Sequence, residues 1–405
     1  MAVNLSVFED FIPVAGVRVG ITQAHVRYAN RDDMVIFELA EGSRVAGVFT
    51  KNAFCAAPVQ ISRVHLQQAA PRYFLINTGN ANAGTGKSGY ANAVRSCELL
   101  ADAAGVSPAE VLPFSTGVIG EPLKMAAFES GIPAALAALD ENNWARAGRG
   151  IMTTDTQPKG YSKRLTLSAG DAVITGISKG AGMIKPDMAT MLGFIATDAA
   201  VDQAILDDWC KRLANASFNR ITIDGDTSTN DCCMLVATGK SSVEITDANS
   251  ADAAALFDEL KLAFQELAQA IVRDGEGATK FVTVKVTECA AQQEALDVAY
   301  TVAHSPLVKT AMYASDANWG RILAAVGRAG VQNMDLEKIQ IWLDDVQIVE
   351  DGGRCASYTE EAGAAIFAQA EFTVTIALGR GEVAETLWTS DLSHEYVTIN
   401  ADYRS

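Results

Sequence analysis

The sequence has no CxxC pair and no cysteine–histidine cluster, although seven cysteines are scattered along it, at Cys55, Cys97, Cys210, Cys232, Cys233, Cys289 and Cys355. An odd number of dispersed thiols argues against a disulfide framework and a zinc site of recognisable spacing, and reads as reduced thiols in a cytosol. Histidine is equally scarce: His25, His65, His304 and His394 are the only four, and none adjoins a recognisable serine or cysteine nucleophile motif. A Ser-His-Asp arrangement therefore has no visible support. No uninterrupted apolar run of about 18 residues occurs, and the opening MAVNLSVFEDFIPVAG lacks a basic segment followed by an apolar one. The expectation is a cytoplasmic protein without a classical export signal or a membrane span. Basic residues are in deficit, 32 against 49 acidic for a formal charge of -17, and so acidic a body repels phosphate backbones and anionic membrane surfaces. Neither nucleic acid nor membrane is an expected partner. Internal repeats and low-complexity tracts are also missing.

What is present is length and apolar content. A chain of 405 residues, 49% of them hydrophobic, can bury a large core split over two or three units. Short apolar strands bounded by turn residues dominate the first part: Val17 to Thr22, Met34 to Leu39, Val45 to Thr50 and Tyr73 to Asn77. Helical spacing follows at Tyr90 to Ala104, Pro122 to Leu139 and Ala251 to Arg273. Strands return at Ala172 to Ile177, Met191 to Thr197, Phe281 to Val286, Phe372 to Leu378 and Glu385 to Thr389. Cys232 and Cys233 are adjacent in a strand-like segment, where one of the two is expected to face the core. Mixed runs of this kind point to α+β layers rather than βαβ repeats. A boundary is expected near Glu288, giving a unit 1-288 and a smaller α+β part 289-405.

The most informative stretch is KGAGMIKPDMATMLGFIATD, Lys179 to Asp198, where a loop rich in glycine and containing proline gives way to an apolar strand at Thr190 or Met191. A backbone cut before Thr190 would place a hydroxyl and a free α-amine in one residue. An α-amine with a reference pKa of about 7.7 to 8.0 can accept the hydroxyl proton near neutrality, so nucleophile and base arrive together without a histidine. On residue physics alone, Thr190 reads equally as a polar residue at a strand start.

Long blocks spread over the chain decide between these readings. KGAGMIKPDMATMLGFIATDA, with FSTGVIG (Phe114 to Gly120), MTTDTQPK (Met152 to Lys159), FNRITIDGDTSTND (Phe218 to Asp231), RDGEGATKF (Arg273 to Phe281) and the terminal INADYRS, resembles the bifunctional ornithine acetyltransferase/glutamate N-acetyltransferase family of arginine biosynthesis, in that family's order. The resemblance implies an αββα sandwich, of the kind shared with certain self-processing aminopeptidases, followed by a smaller α+β C-terminal part whose tail reaches the active site. It implies a cut between Ala189 and Thr190 into an α chain 1-189 and a β chain 190-405, paired in a heterotetramer. Thr190 would be the nucleophile, and Thr116 and Gly117 the oxyanion hole. Thr153, Lys179, Thr190, Glu276, Asn400 and Ser405 would bind substrate; the family more often has threonine at the last position, and serine keeps the hydroxyl. A cation such as Lys179 and an anion such as Glu276 suit the carboxylate and amine of an amino acid. Without the family, Lys179 reads as a solvated loop lysine and Glu276 as a helix-end carboxylate. The activity implied is transfer of acetyl from N-acetyl-L-ornithine to L-glutamate, with acetyl-CoA as a further acetyl donor and no required cofactor.

Two other readings compete with this one. A related self-processing aminopeptidase would share the cut but release amino acids from peptides. A phosphate-loop NTPase would use ANAGTGKS, Ala81 to Ser88, after the strand-like YFLIN, with IQIWLDD at Ile339 to Asp345 as a Walker B strand. Its preferred first glycine is absent, and GNANAGTG also reads as a loop whose glycines and asparagines take left-handed conformations. Asp224, Asp226 and Asp231 in DGDTSTND imitate a cation site, but their spacing equally makes Asx turns, and no metal is expected.

Overall fold

The computed structural model describes residues 2–185 and 191–401. The chain divides into two compact units, the larger of Ser6–Asn219 and Asp226–Ile271 and the smaller of Met1–Leu5, Arg220–Gly225 and Val272–Ser405. In chain order the elements are β1 (Val17–Thr22), β2 (Met34–Leu39), β3 (Arg44–Phe49), α1 (Ala57–Gln68), β4 (Tyr73–Asn77), α2 (Gly86–Ala104), β5 (Val111–Ser115), α3 (Met125–Ala137), α4 (Trp144–Gly150), β6 (Lys159–Leu167), β7 (Gly170–Lys179), β8 (Leu192–Thr197), β9 (Ala200–Val201), α5 (Gln203–Asn215), β10 (Ile221–Thr222), β11 (Cys232–Ala237), β12 (Glu244–Ile245) and α6 (Ala251–Arg273). They continue with β13 (Phe281–Cys289), α7 (Gln292–Ala303), α8 (Pro306–Tyr313), α9 (Trp319–Gly327), β14 (Gln340–Leu343), β15 (Val346–Glu350), β16 (Gly353–Arg354), α10 (Glu360–Phe367), β17 (Glu371–Ala377), β18 (Val383–Ser390) and α11 (His394–Ala401).

The larger unit is an αββα sandwich. One sheet has the order β1-β2-β4-β5 and the other β3-β11-β8-β7-β6. Alternation sorts their side chains. Val35, Phe37, Phe74, Ile76, Leu112 and Phe114 of the first sheet meet Leu192, Phe194, Cys232 and Met234 of the second in one core. The intervening Met34, Ile36, Tyr73, Leu75 and Val111 face the opposite way, into a second core shared with α2 and α3. Because both faces are covered, β4, β5, β8 and β11 are buried at every position. That accounts for their lack of a visible polar alternation in sequence. Phe194 joins the layers, with its ring centroid 5.5 Å from Phe37 and 5.2 Å from Phe114. On the outer side of the second sheet, Trp209 of α5 packs edge-on to Phe257 of α6, and the Leu267 carbonyl of α6 accepts from Ser178 Oγ of β7.

Cys232 lies in the inter-sheet core, while Cys233, one residue on, takes the opposite face, where Cys210 Sγ of α5 approaches its carbonyl. Both thiols are fully buried because both faces of the strand are covered. All seven cysteines are free.

The smaller unit has one sheet, β10-β18-β13-β17-β14-β15-β16, in which β13 runs parallel to β17 and antiparallel to β18. Its core collects Val282, Val284, Val298, Val302, Ile341, Val374 and Leu387. The division at Val272 lies ahead of the Glu288 expected from sequence, since β13 is an inner strand of this sheet. Residues 220–225 also join the smaller unit, because β10 pairs with β18. Among the described residues no helix is long and apolar enough to cross a membrane.

Candidate active site

Two turns of the larger unit converge on the N-terminal end of β8. The first follows β5. Thr116 N–H donates to the Asn77 carbonyl at 3.0 Å and Val118 N–H to that of Gly79 at 3.3 Å, laying Ser115-Thr116-Gly117 along the loop that leaves β4. Gly117 is obligatory here. Its φ is +133°, and a Cβ at this position would stand 2.3 Å from the Gly79 carbonyl carbon and 2.6 Å from Asn80 N, both backbone atoms that cannot swing aside.

The second turn, Met152 to Lys159, is organised by Asp155. This carboxylate accepts Thr153 N–H at 2.9 Å, Gly180 N–H at 2.7 Å and Lys159 Nζ at 2.6 Å, and lies 3.9 Å from Lys179 Nζ. The Asp155 and Lys159 side chains are wholly buried. Burial alone would raise the Asp155 carboxyl, but the ammoniums of Lys159 and Lys179 outweigh it and hold the group far below the ordinary carboxylate range.

Lys179 ends β7, opposite Leu192 at the start of β8. Its Nζ donates to Thr153 Oγ1 at 2.6 Å and to Thr116 Oγ1 at 3.2 Å. Thus Thr116, Thr153 and Lys179, far apart in sequence, form one cluster, and Lys179 is 7% exposed rather than a solvated loop lysine. On the other side of β8, the parallel partner β11 begins with Cys232, whose N–H donates to the Met191 carbonyl at 2.9 Å. Just before it, buried Asn230 donates through Nδ2 to the carbonyls of Ala81 at 2.6 Å and Ser115 at 2.9 Å. One amide so ties the Thr116 turn and the loop after β4 to the start of β11. Sequence reasoning missed Asp155, Lys159 and Asn230 as parts of this site. The only signal available was that polar residues punctuate the TTDTQPK and STND blocks.

In the smaller unit, Glu276 and Asn400 meet: Asn400 Nδ2 donates to Glu276 Oε2 at 2.7 Å. The turn carrying Glu276 is tightly held. Arg273 forks onto Glu371 at 2.6 and 2.9 Å and lies 3.9 Å from the Phe281 ring centroid, Ser393 Oγ donates to the Gly277 carbonyl, and Asp391 accepts from Thr279 N–H and Lys280 N–H. Ala189, Thr190 and Ser405 lie outside the described residues.

The competing motifs resolve differently. ANAGTGKS does join β4 to α2, with left-handed φ at Asn82, Gly84 and Gly86. The strand proposed as its Walker B partner is β14, which belongs to the sheet of the smaller unit, whereas β4 pairs with β2 and β5. A phosphate loop and its Walker B strand share one sheet, so the NTPase reading loses its second motif. Asp224 accepts from Tyr396 Oη at 3.2 Å, and among the described residues no three His, Cys, Asp or Glu side chains gather as a metal ion would require.

A family model described as ArgJ family matches residues 18–405. The sequence is 57% identical, over 100% of both chains, to the arginine biosynthesis bifunctional protein ArgJ of Pseudomonas syringae pv. tomato. It is 55% identical, over 99% of each chain, to the protein of the same description from Psychrobacter arcticus. Among solved structures it is similar to the arginine biosynthesis bifunctional protein argJ of Bacillus halodurans, at 39% identity and a TM-score of 0.50, over 52% of this chain and 99% of that one.

Proposed function

Because the chain belongs to the ArgJ family, we propose that this ornithine acetyltransferase of arginine biosynthesis works through an acetyl ester on Thr190, formed after the chain cuts itself between Ala189 and Thr190. The observation that carries the reading is the cluster at the start of β8, where Lys179 Nζ bonds the hydroxyls of Thr153 and Thr116 beside a glycine turn with no room for a side chain.

In the cut, Thr190 Oγ attacks the Ala189 carbonyl carbon, the peptide C–N bond gives way to an ester, and water hydrolyses the ester to leave chains 1-189 and 190-405. In the transfer, Thr190 Oγ attacks the acetyl carbonyl of N-acetylornithine while its proton passes to the Thr190 α-amine. The tetrahedral oxyanion is met by Thr116 Oγ1–H and Gly117 N–H, each such donor contributing about 3 kcal/mol. Collapse breaks the C–N bond, and the α-amine returns the proton to the leaving ornithine nitrogen. The amine of glutamate then attacks the ester by the reverse path. Thr153 and Lys179 recognise the carboxylate common to both amino acids, Glu276 with Asn400 the amine end, and the Ser405 hydroxyl completes recognition. Acetyl-CoA serves as a second donor to the same threonine, no cofactor is required, and the cut chains assemble as a cytoplasmic heterotetramer.

The kinetics must then be ping-pong. Double-reciprocal plots for acetylornithine at several glutamate concentrations should be parallel, and acetylornithine alone should add one acetyl mass to the chain beginning Thr-Met-Leu-Gly. Intersecting lines with no acetylated chain in a rapid quench would establish direct transfer and remove Thr190 as carrier.

A further inference from the structure

We propose that Lys179 is a positioning residue for the oxyanion hole: its ammonium fixes and polarises the Thr116 hydroxyl, in addition to recognising the substrate carboxylate. The inference rests on the assignment of Thr116 to the oxyanion hole.

A lysine ammonium has three protons to give and no lone pair to offer. In the contact between Lys179 Nζ and Thr116 Oγ1 at 3.2 Å, lysine is therefore the donor and the threonine oxygen the acceptor. With that lone pair occupied, the Thr116 O–H bond is directed away from Lys179 and remains available to a second acceptor. The same holds for Thr153, whose Oγ1 accepts from Lys179 at 2.6 Å. A hydroxyl already accepting from a cation is also a stronger donor, because successive hydrogen bonds polarise one another in a buried setting. The oxyanion that develops on the acetyl carbonyl then meets a hydroxyl that needs no reorientation.

The geometry around Lys179 keeps the ammonium on this task. β7 ends at Lys179 and the next residue, Gly180, gives its N–H to Asp155 Oδ1, so the backbone that carries the lysine is anchored to the carboxylate its side chain faces. Asp155 also takes Thr153 N–H. One buried carboxylate thus sets both the lysine and one of its two hydroxyl partners. Lys159 bonds the same carboxylate at 2.6 Å, so replacing Lys179 by an apolar residue leaves Asp155 paired. Lys179→Met is accordingly the variant expected to keep the fold.

The test is a double-mutant cycle of Lys179→Met and Thr116→Ala, read as kcat and KM for acetylornithine and expressed per Thr190-terminated chain. Lys179→Met should lower kcat about thirtyfold when Thr116 is present, part of the hundredfold or more that one oxyanion donor is worth, and less than about threefold in the Thr116→Ala background. The large effect should return in the Thr116→Ser background, where the hydroxyl is retained. An equal fall in kcat in both backgrounds, or a change confined to KM, overturns the proposal and leaves Lys179 as a carboxylate binder only. The acyl-carrier reading fails separately, through intersecting kinetics and a missing acetylated chain, since a polarised Thr116 would serve a direct transfer equally well.

Discussion

Replacing Asn230 by alanine should disable the enzyme without touching any group that binds substrate or reacts with it. The side chain is 6% exposed, its Nδ2 donates to the carbonyls of Ala81 and Ser115, and its Oδ1 accepts from Thr229 Oγ1 at 2.6 Å. Alanine removes the donor and leaves two main-chain acceptors without it. An acceptor stranded in the interior costs about 1–3 kcal/mol, so the pair predicts a loss of roughly 2–4 kcal/mol after partial relaxation. The Ser115 carbonyl is one bond from the nitrogen of Thr116, so the turn that presents Thr116 and Gly117 loses its tether to β11, and hence to the β8 strand that β11 accompanies. With Thr116 and Gly117 in the proposed oxyanion hole, a misplacement of about 1 Å is enough to cost on the order of a hundredfold. We expect kcat for acetyl transfer to fall at least tenfold with KM within threefold of wild type, alongside the lower stability in denaturant unfolding. Asn230→Asp, which keeps the size but turns the donor into an acceptor facing two carbonyls, should lose at least as much kcat. A destabilised Asn230→Ala protein with unchanged kcat would refute the reasoning, because the amide would then be a structural clamp with no hold on the oxyanion turn.

Gly117→Ala should abolish turnover, because the added carbon meets main-chain atoms 2.3 and 2.6 Å away; an active, crystallisable Gly117→Ala protein with an unshifted turn contradicts this. Burial pushes the Lys309 ammonium down to about 8 from 10.5 against the opposing pull of Asp391 and Asp224. Between those values the unfolded chain binds more protons than the folded one, so this residue makes stability rise with pH from about 8 towards 10.5. The pH dependence of unfolding in wild type minus that in Lys309→Met should show this rise, and a flat or falling difference counts against it. Burial also pushes the Cys97 and Cys210 thiols up to about 12 and Cys232 and Cys233 well above the ordinary range. Cys55 is the half-buried one, so native alkylation should modify Cys55 first, and peptide mapping that finds Cys232 or Cys233 labelled at a similar rate would refute the packing described for β11.

Local pattern was enough for much of the secondary structure. Val17–Thr22, Met34–Leu39, Tyr73–Asn77 and Ala251–Arg273 were legible to the residue, because each is an apolar run or helical stripe closed by turn residues. Where the pattern misled, the backbone shows how: the helix expected from Pro122 begins only at Met125, because Lys124 has a non-helical ψ of 88°, and the preceding carbonyls of Glu121 and Pro122 accept instead from the distant Asn80 Nδ2. Thr116, Thr153, Lys179 and Glu276 entered as site residues only through the family resemblance that the blocks KGAGMIKPDMAT, STG, TTDT and GEGATK carry; local pattern alone read Lys179 as a solvated loop lysine and Glu276 as a helix-end carboxylate.

Tertiary structure alone decided the rest. That Lys179 is a buried hub rather than a solvated lysine depends on β7 ending opposite Leu192 and on turns at Thr116 and Thr153 reaching it from 63 and 26 residues away in sequence. Asp155 and Asn230 carry no local signature, because bonds to distant partners, Gly180 N–H for the carboxylate and the carbonyls of Ala81 and Ser115 for the amide, give them their roles; Lys159 enters the site through its pairing with Asp155 four residues earlier. The division at Val272 differs from the boundary expected near Glu288, where a helix and strand unit gives way to the segment Gln292 to Ser305: β13 is paired on both sides within the smaller unit's sheet, and strand pairing is a long-range property that a window of neighbouring residues does not contain.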